Sequence, residues 1–262
     1  MANLSPLLSI MTRAAEKAAK SLLRDFGEVE QLQVSVKGPG DFVSAADRRA
    51  EQIIYQELSK ARPDHAFLME ESGKLGPGDA ECRFIVDPLD GTHNFLHGIP
   101  HWAISIALEK AGEIVAGVVY DPVKNEMFYA EKGNGAYMND RRIRVSGRKD
   151  PERAIVGYWS SYPGRYDEAR YTADLNKLRG RFERFRVNGA AAIDLAWVAC
   201  GRFDAFAQHD LKFWDVAAGT ILIREAGGKT MTMLNPNADG FDNSILAANL
   251  HLMPTLRDIL KV

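Results

Sequence analysis

The sequence predicts a mixed α+β/α/β protein in two halves, an antiparallel sheet with helices ahead of it and an alternating strand–helix half behind it. Three observations carry that expectation. Ala103–Glu109, Ile114–Tyr120 and Glu126–Ala130 read as strands parted by the turns Ala111-Gly112 and Asp121-Pro122, the pattern of a meander. After residue 153, strand and helix patterns alternate to the end of the chain. Ahead of the meander, Ala50, Ile53, Ile54 and Leu58 recur at helical spacing. The polar segment 146–153 divides the chain into an antiparallel-sheet subdomain, 1–145, and an α/β subdomain, 146–262, acting as one unit.

Ser5-Pro6 is an N-cap followed by proline at the first helical position, opening a helix to about Arg24. Leu32, Val34 and Val36 alternate with polar residues and predict a short strand, followed by a Gly38-Pro39-Gly40 loop. A helix starts at Ser44. Ala66–Met69 and Arg83–Val86 are short buried strands, with a Gly/Pro-marked loop over Gly73–Asp79 between them. In the second half, strands are expected over 154–158, 182–187, 203–206, 228–232 and 244–248. Helices are expected over 166–179, 190–200, 215–226 and 251–260.

At 262 residues with 46% apolar and 26% charged residues, the composition is that of an ordinary globular protein. A formal charge of −2 argues against a nucleic-acid or membrane surface. No apolar run is long enough to span a bilayer, and the N-terminus lacks the apolar core of a signal peptide. Cys82 and Cys200 form no metal-ligand spacing, so a reducing cytoplasm is the expected compartment.

The candidate chemistry lies in carboxylates. Asp87-Pro88-Leu89-Asp90-Gly91-Thr92 follows the apolar run Phe84-Ile85-Val86, which places two acids on an expected loop at a strand end. Oxygen-rich loops suit hard cations such as Mg²⁺, and equally the residues are those of a solvated turn. Gly91 lets a ligand approach the backbone, and Thr92 adds a hydroxyl and an N–H. Glu70-Glu71 ends the strand Ala66–Met69; if that strand neighbours the one ending at Asp87, the acids share a sheet edge. Asp47 fits a Ser44-x-x-Asp47 capping box, and Asp215 fits the first turn of a helix, so both have a purely local reading as well. Gly189-Ala190-Ala191 opens a helix whose small residues leave N–H groups available to an anion or a sugar hydroxyl, or serve close packing. His93, His97, His101 and His209 match no zinc spacing and are expected as surface or supporting polar residues.

Taken together, Gly40-Asp41-Phe42-Val43-Ser44-Ala45-Ala46-Asp47, Glu70-Glu71-Ser72-Gly73, Asp87-Pro88-Leu89-Asp90-Gly91-Thr92-His93-Asn94-Phe95 and Trp214-Asp215-Val216-Ala217-Ala218-Gly219 resemble the inositol monophosphatases, the metal-dependent, lithium-sensitive phosphatase superfamily. Gly133-Asn134-Gly135-Ala136-Tyr137 and Gly189-Ala190-Ala191 extend the resemblance over nearly the whole chain. It implies an alternating five-layer αβαβα sandwich, usually as a homodimer. It also implies roles. Glu70, Asp87 and the Leu89 carbonyl would hold one Mg²⁺; Asp87, Asp90 and Asp215 a second; and Glu70 would help hold a third, weaker ion, with Mn²⁺ as a substitute metal. Thr92, polarised by Asp47, would orient the attacking water, while Gly91 and Thr92 N–H groups hold the phosphate. Gly189, Ala191, Gln208 and Asp215 fall at the substrate positions.

Two positions depart from that pattern. His93 stands where a second threonine is usual, and Gln208 where many inositol-phosphate enzymes carry a glutamate for the inositol hydroxyls. Glutamine still hydrogen-bonds a hydroxyl, without charge assistance. The expected activity is Mg²⁺-dependent hydrolysis of a small polyol or sugar phosphate of the inositol 1-phosphate type. Fructose 1,6-bisphosphate, a 3′-phosphonucleotide or NADP phosphate are the alternatives on the same core. A non-catalytic accessory role at RNA polymerase is the alternative of another class, and the chain carries no basic or aromatic stripe for RNA.

Overall fold

The computed structural model describes residues 4–28, 34–38, 41–159, 168–234 and 243–262. Helix α1 (Pro6–Phe26) starts as the sequence predicts, with Ser5 Oγ accepting the Leu8 N–H at 3.1 Å. It buries Leu8, Met11, Ala15, Ala18 and Leu22 along one stripe. A hairpin of β1 (Val34–Gly38) and β2 (Asp41–Ser44) leads into α2 (Ala45–Ala61), which buries Ala46, Ala50, Ile54 and Leu58 at intervals of one turn. Residues 32 and 33 of the expected first strand, 39 and 40 of the glycine-proline loop, and 166 and 167 of a later expected helix lie outside the described residues.

The first large sheet contains β3 (Ala66–Met69), β4 (Gly73–Leu75), β5 (Cys82–Asp90), β6 (Ala103–Lys110), β7 (Glu113–Asp121), β8 (Glu126–Glu131), β9 (Gly135–Met138) and β10 (Arg141–Ile143). Its order is β10-β9-β8-β7-β6-β5-β3-β4, antiparallel throughout except for the parallel pair β3/β5. A short helix, α3 (Thr92–Leu96), follows β5 directly. The expected loop over 73–79 instead begins with an edge strand. The register pairs Met69 with Gly73, so Glu70–Ser72 form a tight hairpin turn, and Gly73 at φ +72° supplies the left-handed residue that such turns need. The Gly-Asn-Gly segment is the β8–β9 turn; Gly133 and Gly135 N–H groups donate to Glu225 at 2.9 and 2.8 Å.

The second sheet orders β12 (Arg184–Arg186), β11 (Ile155–Trp159), β13 (Ala205–His209), β15 (Ser244–Ala248) and β14 (Lys229–Met231). It is parallel along β12-β11-β13 and antiparallel along β13-β15-β14. Helices α4 (Glu168–Arg179), α5 (Ala191–Ala199), α6 (Phe213–Glu225) and α7 (Met253–Leu260) complete this half.

Three cores fill the space between five layers, the middle one covering both faces of α5 and α6. Phe84, Val86, Ile104, Ile106 and Val118 pack against α1 and α2. The alternate residues Ile85, Ala103, Ala107, Val119 and Phe128 pack on α5 and α6, together with Phe206 and Ala247 of the second sheet. The other face of that sheet packs Val156, Ala205 and Leu246 with Leu178, Leu256 and Leu260 of α4 and α7. The order is therefore helices, sheet, helices, sheet, helices. Helices α5 and α6 lie between two sheets, so their sequences are apolar nearly all round. Gly219 lets them approach closely, since a Cβ there would fall 2.5 Å from Leu195 Cβ.

Candidate metal centre

The parallel pairing of β3 and β5 aligns Met69 with Val86 and carries Glu70 and Asp87 out at one sheet edge, as their strand-end positions predict. The Glu70 N–H donates to Val86 O at 3.1 Å. Asp87 and Asp90 do not sit on a free loop, contrary to expectation. They belong to the last turn of β5, where pairing passes from Asp87↔Ser105 to Asp90↔Ala103 across a bulge. Pro88 has no N–H to give to the ladder, and the extra residue turns both acids inward. The Leu89 N–H donates to Asp87 Oδ1 at 2.9 Å and fixes that turn.

Asp215 arrives from the other half. It stands in the first turn of α6, with its Oδ2 accepting the Lys212 N–H at 2.7 Å. The helix itself begins two residues earlier than expected, at Phe213. Ser105, the cross-strand partner of Asp87, donates its hydroxyl to Trp214 O at 3.2 Å, which docks the start of α6 beside Asp87.

Burial raises the Asp87 carboxyl well above the ordinary range, and the neighbouring Glu70, Asp90 and Asp215 raise it further. Burial raises Asp90 likewise, followed by the charge of Asp215. The Ala192 and Ala191 N–H groups pull the other way, donating to Asp90 Oδ2 at 2.7 Å and Oδ1 at 3.2 Å. Those N–H groups begin α5, so Asp90 caps that helix. The Ala191 N–H expected to be open to a substrate is thus engaged by Asp90, because the small residues bring the helix end within reach of the carboxylate.

Asp47 is 1% exposed and stands 3.5 Å, Oδ2 to Oγ1, from the Thr92 hydroxyl. Leu89 O lies nearer that hydroxyl, at 3.0 Å. Asp47, Glu70 and Glu71 each place an oxygen within 4.8 Å of the others. Oxygen donors of this kind suit a hard divalent cation. Carboxylates so close in a buried place repel one another unless a cation or protons offset their charge.

Gly91 joins β5 to α3 at φ +90°. A Cβ there would stand 3.0 Å from both His101 O and Ala190 Cβ. Gly91→Ala is therefore expected to lose about 1–2 kcal/mol from the backbone conformation alone, with the clash in addition. Chemical denaturation checks this, and an unchanged midpoint would contradict it.

Around the acids, Asn94, Asn188 and Asp194 carried no separate signal in the sequence, while Gly189, His101, His209 and Gln208 did. Asn94 Nδ2 donates to His101 O and Asn188 O, both at 2.7 Å, and ties α3 to the segment ahead of α5. Gly189, at φ +82°, lies directly against Asn94. Of the two expectations for the histidines, surface or supporting, His101 meets the second: it is buried and faces Asp194 Oδ1 at 3.2 Å; His209 is buried too. Burial raises the Asp194 carboxyl, and His101 and Asn188 offset part of that. Gln208 sits near the end of β13, shortly before α6, and is 5% exposed. Glu71 joins the acidic cluster although the sequence singles out only Glu70 as a ligand. Buried carboxylates held by backbone N–H groups leave no trace in residue identities, which is why these partners were hidden.

A model of the inositol monophosphatase family matches residues 3–260. The inositol-1-monophosphatase of Rhizobium meliloti is 50% identical over 257 residues, covering 98% of this chain and 97% of that one. The Nus factor SuhB of Pseudomonas aeruginosa is 43% identical over 231 residues, covering 86% of this chain and 84% of that one. The crystal structure of the extragenic suppressor protein suhB from Bartonella henselae superposes with a TM-score of 0.94 at 49% identity, covering 98% of this chain and 99% of that one.

Proposed function

The chain belongs to the inositol monophosphatase family, and from that we propose that it hydrolyses a small polyol or sugar phosphate of the inositol 1-phosphate type with the help of Mg²⁺. The observation carrying the proposal is the convergence of Glu70, Asp87, Asp90 and Asp215 from two halves of the chain beside the Asp47–Thr92 pair. Glu70, Asp87, Asp90, Asp215 and the Leu89 carbonyl would hold the cations, two or three in number. When bound, those ions offset phosphate charge and make a water more acidic.

The chain's own residues do the positioning. Thr92 Oγ1 has one proton and two acceptors in reach, Leu89 O at 3.0 Å and Asp47 Oδ2 at 3.5 Å. Donation to Asp47 leaves the Thr92 lone pairs to accept a hydrogen bond from the attacking water and aim it at phosphorus, and as that water gives up its proton to Thr92 Oγ1 the Thr92 proton passes to the Asp47 carboxylate. Gly91 and Thr92 N–H groups hold the phosphate, and the absence of a side chain at Gly91 lets it come close. Gly189, Ala191 and Gln208 border the leaving alcohol, with Gln208 the reader of a sugar hydroxyl.

A substrate panel with Mg²⁺, with and without Li⁺, tests the proposal. Inositol 1-phosphate, fructose 1,6-bisphosphate and a 3′-phosphonucleotide are compared by kcat/KM. Inositol phosphate should lead, Li⁺ should inhibit, and Gln208→Glu should strengthen the lead. Turnover that survives complete chelation would refute the proposal. We place the enzyme in the cytoplasm as a homodimer; free Cys82 and Cys200 fit a reducing compartment, and no helix among the described residues is long and apolar enough to cross a membrane.

The likeness to the Nus factor of Pseudomonas aeruginosa motivates a second reading, an accessory role at RNA polymerase beside catalysis. Affinity purification from the source cells tests it: polymerase subunits recovered with an Asp90→Asn protein would support a role independent of turnover. Their absence with both wild type and variant would refute it.

A further inference from the structure

The hairpin turn Glu70–Ser72 brings two acids up to Asp47, and their mutual repulsion favours swinging the turn away. An anchor for that turn lies on α2. Glu51 is 4% exposed and stands one helical turn after Asp47, so two buried acids share one helix face. Like charges at that spacing disfavour a helix on their own account. A buried carboxylate is also costly unless its oxygens receive hydrogen bonds.

All of the donors recorded for Glu51 come from the one turn. Its Oε2 accepts the Glu71 N–H at 2.8 Å and the Ser72 N–H at 3.4 Å, and its Oε1 accepts the Ser72 hydroxyl in a short hydrogen bond. Glu51 also borders a cleft of about 390 Å³ lined by Arg48, Tyr55, Met69 and Glu71, so solvent lies behind the turn on that side. These bonds tie the backbone of residues 71 and 72 to α2, and Arg48 of the same helix adds an ion pair to the Glu71 carboxylate at 3.9 Å.

We propose that Glu51 is a positioning residue for the metal centre: by holding the Glu71–Ser72 backbone it fixes where the Glu70 and Glu71 carboxylates stand relative to Asp47 and Asp87, and so sets the affinity of the centre for its cation. The inference rests on the metal-dependent reading above. Without the anchor, the carboxylates relax apart, and gathering them again is subtracted from the binding free energy.

The test compares Glu51→Ala and Glu51→Gln with wild type. Mg²⁺ and Mn²⁺ binding is measured by calorimetry on the enzyme alone, and amide hydrogen exchange is followed at Glu71 and Ser72. Glu51→Ala should weaken cation binding about 10–100-fold, the usual effect of removing a group that orients a ligand, and should speed exchange at both amides. Glutamine keeps an acceptor for the Glu71 N–H and a donor for the Ser72 hydroxyl, so Glu51→Gln should lose only about threefold. A folded Glu51→Ala protein that binds the cation like wild type would overturn the proposal, as would Glu51→Gln weakened as far as Glu51→Ala. If the alanine variant does not fold, Ser72→Ala replaces it; a shift of a few-fold supports the anchor, and unchanged affinity together with unchanged exchange overturns it. Failure of the metal reading is distinct, since wild type itself would then bind no cation.

Discussion

Asp90→Asn is expected to lower kcat/KM on the preferred phosphate ester by about a thousandfold, equivalent to about 4 kcal/mol of lost transition-state stabilisation. Two effects combine. The substitution removes a negative oxygen from the cluster that also holds Asp87 and Asp215. It further sets an NH₂ group where one of the Ala191 and Ala192 N–H groups now donates, so a donor faces a donor at the start of α5. Steady-state kinetics at saturating Mg²⁺ checks the first effect, and circular dichroism with a denaturation curve separates the second. A folded variant keeping more than about a tenth of the activity would remove Asp90 from the centre.

The second large effect is in stability. The Asp87 and Asp90 carboxyls lie well above their ordinary value in the fold, through burial first and then the charges of their neighbours. A carboxyl raised in the folded state binds its proton more tightly there than in the unfolded chain. Its stabilising contribution is therefore complete below the unfolded value and is lost as pH climbs through the folded one. The metal-free protein should thus lose stability from these groups as pH rises above the ordinary carboxyl range. Mg²⁺ takes over the work of the protons, so the gap in Tm between loaded and chelated protein should widen as pH rises from about 5 to 8. Asp90→Asn should narrow that gap. Thermal melts with Mg²⁺ or a chelator at several pH values provide the measurement, and a gap independent of pH would refute the account.

Much of the architecture is legible in the sequence. The meander β6–β8 begins and ends within a residue of where alternation and turn residues put it. The Ser5-Pro6 start of α1 is as its residues predict. The misplaced elements have identifiable causes. Asp87-Pro88-Leu89-Asp90 has the composition of a turn, yet continues β5 because β6 offers partners on both sides of the bulge. Gly73–Leu75 has the composition of a loop, yet pairs with β3 because Gly73 can close the turn. In each case tertiary hydrogen bonding overrode a local preference.

By itself the sequence determined the list of acids, their strand-end and helix-start settings, and through them the chemistry they suit. Alternating apolar residues need only neighbours in the chain to be recognised, so the strands and helices could be anticipated, while their five-layer order was implied only by the family resemblance. The resemblance named the acids that meet, and the tertiary structure decided how they are brought together. Asp215 reaches Asp87 because Ser105 docks the first turn of α6, and Asp90 is held by backbone N–H groups of α5. Glu51 governs a turn some twenty residues away through the backbone of Glu71 and Ser72. Every residue but proline carries the same backbone N–H, so no side-chain pattern marks the one that will satisfy a buried carboxylate. That pairing is settled only when the layers pack.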